Sequence, residues 1–146
     1  MNALAPFLVV AAGCSVALQQ LLNANLGKTL HSALWSAFVS YFGGTIALAV
    51  LLVILREPFF DLAPATRAPL ITWTGGIFGV VFIGTSVIMV PRLGVATVMT
   101  LVVVGQLLSS LVFDHFGLLG TPEHQITFVR LLGAACLIAG AAMVRV

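Results

Sequence analysis

Two groups of polar side chains recur at helical spacing inside otherwise apolar stretches of this sequence. Each group consists of three residues that are four positions apart, namely Ser15, Gln19 and Asn23, and Gln106, Ser110 and Asp114. Residues at positions i, i+4 and i+8 of a helix lie on one face, so each group forms a polar stripe. Amides and hydroxyls of this kind can donate hydrogen bonds to a polar solute and accept them from it.

The two stripes admit two interpretations. They could line a shared hydrophilic cavity, or they could hydrogen-bond to each other and fasten helices together at about 0.6 kcal/mol per contact. Gln106 lies near the middle of its apolar stretch, where an amide without a partner is costly. We therefore favour the cavity for the amides and leave both interpretations open for the serines. With Tyr41, whose hydroxyl also needs a partner at depth, the candidate substrate-binding residues are Gln19, Asn23, Tyr41, Gln106 and Ser110.

Asp114 is the acidic residue that stands at the end of an apolar stretch, directly before His115. An ionisable side chain at membrane depth indicates a functional site by default. At the end of a stretch the carboxylate can also reach interfacial water or cap a connection. If the chain transports a solute across a membrane, Asp114 is therefore our candidate for the residue that couples or gates this transport. Contact with interfacial water, or capping of a connection, remains the alternative role. The centres of the apolar stretches contain no acid, which argues against a carboxylate-driven proton antiporter for cations.

Five apolar stretches carry or adjoin these residues, and each reaches or approaches the length of about 20 residues that a membrane-spanning helix needs. The sequence is 61% hydrophobic and 7% charged, and its mean hydropathy is +1.21. The stretches lack the solvent-facing polar side that helices of a soluble protein show. We predict an all-α polytopic membrane protein with a single domain over residues 1–146. Its spans are Ala5–Leu22, with an end at Leu26 as the alternative, Ala33–Leu55, Leu70–Val90, Gly94–Phe113 and Thr127–Val144.

Short connections join the predicted spans and leave no room for a soluble domain. The longest, Arg56–Pro69, contains three prolines and four charges, which predicts a loop. The tightest, Pro91–Leu93, predicts a helical hairpin of the third and fourth spans.

The basic residues divide evenly between the two sides of the predicted membrane domain. The difference in Lys and Arg between the two sides fixes the orientation of a membrane protein. An equal count leaves the orientation undecided, so we expect insertion both ways. The alternative is that the equal count arises by chance and that a partner chain or the acidic residues set the orientation. The N-terminal side carries Arg56, Arg67 and Arg130, and the other side carries Lys28, Arg92 and Arg145.

An odd number of spans places the two termini on opposite sides of the membrane. Two copies inserted oppositely would form a five-plus-five inverted repeat, which is a recurrent architecture of secondary transporters. We therefore predict an antiparallel homodimer, with a sister five-span chain of opposite charge bias as the alternative partner. Gly133 and Gly140 give the fifth span a small-residue face, which we assign to the dimer contact.

Motifs for other kinds of chemistry are missing from the sequence. It contains no Gly-rich phosphate loop, no Ser-His-Asp combination at membrane depth and no metal-ligand spacing. We therefore expect neither an enzyme nor a protein that needs a metal or cofactor. The scattered basic residues form no stripe that could follow a nucleic acid. Cys14 and Cys136 lie inside the first and fifth spans and are interpreted as packing residues.

Three parts of the sequence resemble a known family. They are LQQLLNANLGK, PRLGVATVMTLVVVGQLLSSLVFDHFGLLG and RLLGAACLIAGAAMV. These parts are similar to the short five-span YdcZ-like branch of the drug/metabolite transporter superfamily, and the resemblance covers essentially the whole chain. It implies a bacterial inner-membrane protein that forms half of a five-plus-five fold and works as a dimer. The residues that match the family are Gln19, Asn23, Gln106 and Asp114.

The resemblance implies export of a small metabolite or drug-like solute. Related small multidrug-resistance proteins use a glutamate in their first helix, where this sequence has Gln19 and Gln20, so proton-coupled cation export is not implied. We expect alternating access through a cavity between two protomers. A dual-topology ion channel and an accessory subunit of a heterodimeric transporter are the alternatives. The expected partners are the lipid bilayer, a second copy or a sister chain, and a small-molecule substrate.

Overall fold

The protein, as given by a computed structural model that describes residues 4–120 and 122–144, is helical. Arg145, one of the basic residues in the charge count, lies outside the described residues. Within the described residues, two short 3₁₀ turns cover Leu70–Thr74 and Leu118–Gly120. The predicted all-α class is therefore confirmed. The α-helices of the described chain are α1 (Leu4–Thr29), α2 (Ala33–Ile54), α3 (Leu62–Arg67), α4 (Gly75–Leu93), α5 (Val95–Phe116) and α6 (Phe128–Val144).

Four segments of the described chain are long and apolar enough to cross a membrane. They are α1, α2, α5 and the segment Leu70–Leu93, which joins the first 3₁₀ turn to α4. The helix α6 is also apolar, but its 17 residues fall short of the usual length of about 20. The polytopic membrane class is confirmed, and the fifth crossing and the inverted repeat stay predictions.

The first helix continues past both predicted ends of the first span, Leu22 and Leu26, and stops only at Thr29. The reason is tertiary: Asn23, a weak helix former by itself, is buried and hydrogen-bonded to α2, and such contacts override intrinsic propensity. His31 then takes a left-handed conformation with φ of 51°. Ser32 begins the next helix, because its hydroxyl accepts a hydrogen bond from the backbone N–H of Trp35 at 3.2 Å.

The predicted loop over Arg56–Pro69 contains the short helix α3, so that prediction was wrong for six residues. Asp61 caps this helix, since its carboxylate accepts a hydrogen bond from the N–H of Ala63 at 3.0 Å. Pro64 does not prevent the helix because it lies in the first turn, where N–H groups have no helical partner.

A single residue, Gly94, separates α4 from α5, whereas the sequence predicted Pro91–Leu93 as the connection. The helix α4 runs through Pro91 to Leu93. Near the end of a helix, the missing N–H of a proline removes only one of the last hydrogen bonds. Gly94 ends the segment because its φ of 82° is a conformation that glycine adopts without a steric penalty.

The described chain forms two compact units, which we name the first unit (Met1–Pro91) and the second unit (Arg92–Val146). In the first unit α1 packs against α2, and a small core of Ala37, Ile83 and Val87 joins α2 to α4. Gly27 allows α1 to approach α4 closely, because a Cβ at position 27 would lie 2.8 Å from Cγ1 of Val87. In the second unit α5 packs against α6.

Candidate functional site

Polar side chains of α1 and α2 meet inside the first unit, and we call Gln19, Asn23, Ser36 and Ser40 the α1–α2 polar cluster. Asn23 donates a hydrogen bond from Nδ2 to Oγ of Ser40 at 3.1 Å. Gln19 donates to the same hydroxyl oxygen from Nε2 at 3.5 Å. Ser36 donates its hydroxyl to the backbone carbonyl of Asn23 at 2.6 Å. The structure therefore brings the predicted residues Gln19 and Asn23 together on one hydroxyl of α2.

Ser36 and Ser40 complete this cluster, and the site prediction did not include them. A signal for them exists in the sequence, because Ser36 and Ser40 are four residues apart, as are Gln19 and Asn23. Two antiparallel helices with a short connection place residues face to face when they are equally distant from that connection. Asn23 and Ser40 satisfy this condition about the turn at His31 and Ser32.

Gln20 was not predicted as a site residue, yet it is the largest fully buried side chain of the described chain. It lies on the face of α1 that also buries Asn23, Ala24 and Gly27. Neither Nε2 nor Oε1 of its amide has a hydrogen-bond partner among the described residues. Burial of an unpaired amide is unfavourable by about 1–3 kcal/mol. Gln20 is therefore a source of instability in this conformation.

Tyr41 lies one residue beyond Ser40, but its contacts are with α4. Its half-buried ring packs on the core of Ala37, Ile83 and Val87. Its hydroxyl lies against Gly79, where an added Cβ would overlap the phenolic oxygen. The structure thus gives Tyr41 a packing role between α2 and α4. Its predicted role in substrate binding stays a prediction.

Gln106 and Ser110 lie on α5 in the second unit and differ in how much of their hydrogen-bonding capacity is used. The Ser110 hydroxyl donates to the backbone carbonyl of Gln106 at 2.7 Å, within the helix. The Gln106 side chain is exposed, and its amide has no hydrogen bond to any described residue. The helix therefore presents an unpaired amide on its surface at mid-length.

Asp114 forms an ion pair with Arg130, a residue that the site prediction did not include. Nη1 of Arg130 lies 3.4 Å from Oδ2 of Asp114, and each side chain is 37% exposed. The backbone carbonyl of Asp114 also accepts a hydrogen bond from the N–H of His124 at 2.8 Å. The connection between α5 and α6 is thus fixed to the end of α5. A signal for the pair was present, because the charge count assigned Arg130 to the side of the membrane where the fourth span ends.

A groove between α5 and α6 opens beside this ion pair, and we call it the α5–α6 groove. Its volume is about 520 Å³. One end is charged and the rest is largely apolar. Its lining residues are Leu107, Ser110, Leu111, Asp114, Arg130, Gly133, Ala134 and Leu137.

Gly133 and Gly140 leave open space along α6. A Cβ added at either position would meet no atom of the described chain within 4 Å. Gly133 lines the α5–α6 groove, and Gly140 is half-buried. The predicted contact of these glycines with a second copy stays a prediction.

Potential metal ligands are dispersed over the described residues. No group of three or more His, Cys, Asp or Glu side chains that could hold an ion occurs among them. Within the same residues, Cys14 and Cys136 are free thiols on exposed positions.

One family model matches residues 4–143, and its description is "Putative inner membrane exporter, YdcZ". The matched range covers most of both units and every candidate residue described above. The chain has no significant match among curated proteins or among solved structures.

Proposed function

The chain belongs to the YdcZ family of inner-membrane exporters, and from this premise we propose that it exports a small metabolite or drug-like solute by alternating access. The chain is a multi-pass protein of the inner membrane. In our proposal it works as an antiparallel homodimer of two oppositely inserted copies, and the solute passes through a cavity between them.

Gln106 carries this proposal. It lies at the middle of α5 (Val95–Phe116), and its side chain is exposed. An amide that faces hydrocarbon without a hydrogen-bond partner is disfavoured by several kcal/mol, on the order of 2–7. A polar cavity removes this penalty, because water or a solute can then hydrogen-bond to the amide. A cavity lined by α5 of each copy supplies such surroundings at mid-membrane depth.

The α1–α2 polar cluster supplies further neutral hydrogen-bonding groups. Gln19 is exposed, and its 3.5 Å contact with Ser40 is long, so its amide is free to bind a solute. Asn23 is buried and makes the shorter bond, so it holds Ser40 in position beneath Gln19. Tyr41 and Ser110 complete the proposed substrate-binding set.

Asp114 is the proposed coupling or gating residue. Its ion pair with Arg130 is about one-third exposed, and such pairs contribute only about 0.2–1 kcal/mol. A conformational change of the transport cycle can therefore break the pair at little cost in free energy. The pair joins the end of α5 to the first turn of α6, so the intact pair resists a relative movement of the two helices.

The charge distribution supports dual insertion. The Lys and Arg residues divide three against three, and the rule that more basic residues face the cytoplasm then selects neither orientation. Lys28 and Pro91 line the same small cavity of the first unit, so the ends of α1 and α4 lie together, as the charge assignment requires. The helix α6 must cross as the fifth span, and its 17 residues extend over about 25 Å. A bilayer that thins locally accommodates such a length.

Transport is tested with the purified chain in proteoliposomes that are loaded with the small-molecule fraction of a bacterial cell extract. Mass spectrometry then follows which solutes leave. We expect saturable efflux that is stimulated by the same solute on the opposite side. Gln106→Ala should abolish it, whereas Gly105→Ala, one residue away on the same helix, should not. Ohmic currents without saturation would indicate a channel, and an absence of flux for every solute would indicate an accessory subunit.

Dual insertion is tested with two C-terminal reporters, one active only in the cytoplasm and one active only outside it. Both should be active in comparable amounts. If only one is active, the chain has a single orientation and the antiparallel homodimer is excluded.

A further inference from the structure

The α5–α6 groove carries opposite charges at one end and hydrocarbon along the rest of its length. Asp114 and Arg130 lie at the charged end, where α5 finishes and α6 begins. Leu107 and Leu137 are each seven residues further along their helices from these charges, which places them about 10 Å deeper. The groove therefore changes from charged to apolar in the direction that leads from the membrane surface toward its interior.

The floor of the groove is open beside Gly133. A Cβ at this position would meet no described atom within 4 Å, so a glycine next to the ion pair leaves room for a ligand. The volume of about 520 Å³ lies within the range of about 300–1,000 Å³ that is typical of small-molecule sites.

We propose that the α5–α6 groove binds a phospholipid whose head group carries both a phosphate and an ammonium group, as phosphatidylethanolamine does. The planar guanidinium of Arg130 matches a phosphate group, and the carboxylate of Asp114 accepts hydrogen bonds from an ammonium. Each side chain is 37% exposed despite the ion pair, so each retains free hydrogen-bonding positions. The first part of an acyl chain then lies along Leu107, Leu111 and Leu137.

The pairing of charges selects this lipid class among membrane amphiphiles. The phosphate of an anionic lipid without an ammonium, such as phosphatidylglycerol, would contact Arg130 but would leave Asp114 without a cationic partner and close to a like charge. A cationic amphiphile would have the reverse problem. A water-soluble zwitterion would match both charges but would leave the leucines uncovered. The groove shares Ser110 and Asp114 with the residues proposed for transport, but lipid binding is measured by itself and does not depend on which solute the protein exports.

The test measures lipid binding to the purified full-length chain in detergent by native mass spectrometry. Phosphatidylethanolamine and phosphatidylglycerol with identical acyl chains are titrated separately. We expect the former to bind about three- to fivefold more tightly, which is the effect of one partly exposed charge pair. Glycerophosphoethanolamine, the head group without acyl chains, should not displace the bound lipid at equal concentration. Equal binding of the two lipids, or displacement by the free head group, would overturn the proposal.

Three variants of the second unit assign the binding to the groove. Asp114→Asn should remove the preference between the two lipids, and Gly133→Leu should reduce the binding of both by filling the floor. Gly105→Leu is the matched control, because it lies on α5 outside the groove and its Cβ also meets nothing within 4 Å. A preference that survives in Asp114→Asn would refute the assignment. If a variant loses its helical circular dichroism, the comparison of the two lipids on the unaltered chain still decides whether the proposal holds.

Discussion

The hydroxyl of Tyr41 on α2 lies directly against the backbone of Gly79 on α4. A Cβ at position 79 would overlap the phenolic oxygen and would lie only 3.2 Å from Cζ of the ring. The same ring packs on Ala37, Ile83 and Val87, the core of the first unit. The close approach of α2 to α4 thus depends on Gly79, because the hydroxyl of Tyr41, the only tyrosine of the chain, occupies the space that a Cβ there would need.

Gly79→Ala should destabilise the first unit by about 1–3 kcal/mol, which is the usual effect of overpacking a tight contact. Combining it with Tyr41→Phe should recover most of the loss, because the overlapping atom is the hydroxyl oxygen. Thermal unfolding of the purified protein in detergent measures both effects. Gly84→Ala on the same helix, where a Cβ meets nothing within 4 Å, is the control. A Gly79→Ala protein as stable as this control would show that the contact is not made.

Ser36→Ala should destabilise the pair α1–α2 by about 0.6–1.7 kcal/mol. The Ser36 hydroxyl is fully buried and donates to the Asn23 carbonyl across two helices at 2.6 Å. The matched control is Thr45→Ala, which also removes a hydroxyl from α2. The Thr45 hydroxyl donates only to the Tyr41 carbonyl of its own helix. Equal effects of the two substitutions in an unfolding assay would argue against an interhelical role of Ser36.

Gln20→Leu should stabilise the protein, which is unusual for a substitution at a fully buried position. The amide has neither of its hydrogen bonds among the described residues, so replacing it by an apolar side chain of similar size removes a penalty of about 1–3 kcal/mol. Asn23→Leu is the comparison, because Asn23 donates a hydrogen bond to Ser40. Loss of this hydrogen bond should destabilise the protein. A lower melting temperature for Gln20→Leu would contradict this prediction and would mean that the amide is hydrogen-bonded in the folded protein.

Hydropathy alone was enough to predict the helical class and the four segments of the described chain that are long and apolar enough to cross a membrane, since long apolar stretches require helices in lipid. The 3.6-residue period also placed Gln19 and Asn23 on one face, and both contact Ser40. Helix ends were predicted less well. Thr29 ends α1 because of contacts between helices, and Gly94 ends α4 because of its backbone conformation, and neither cause affects hydropathy.

The partners of the candidate residues depend on how each helix is rotated about its axis. In a membrane segment that is apolar on nearly all sides, the hydrophobic pattern does not specify this rotation. The burial of Gln20 and the exposure of Gln106 therefore could not be distinguished from the sequence, although both are amides in apolar stretches. Arg130 was counted only as a topological charge, and its pairing with Asp114 required the geometry of α5 and α6.

Neutralising two charges on one side should convert a chain that inserts both ways into one with a single orientation. Lys28→Gln with Arg92→Gln leaves one basic residue against three, so the side that carries Arg56 and Arg67 should face the cytoplasm. Arg56→Gln with Arg67→Gln should give the opposite orientation. The paired C-terminal reporters then show only the external signal for the first variant and only the cytoplasmic signal for the second.

Co-expression of these two variants tests the antiparallel homodimer itself. Each variant alone supplies only one of the two orientations, so efflux from cells or vesicles should be lost, and the two together should restore it. Lys28→Gln with Arg67→Gln is the matched control, because it removes one charge from each side and keeps the balance. It should remain active without a partner. If either single-orientation variant transports alone, two parallel copies or one copy suffice, and the even distribution of Lys and Arg has no role in assembly.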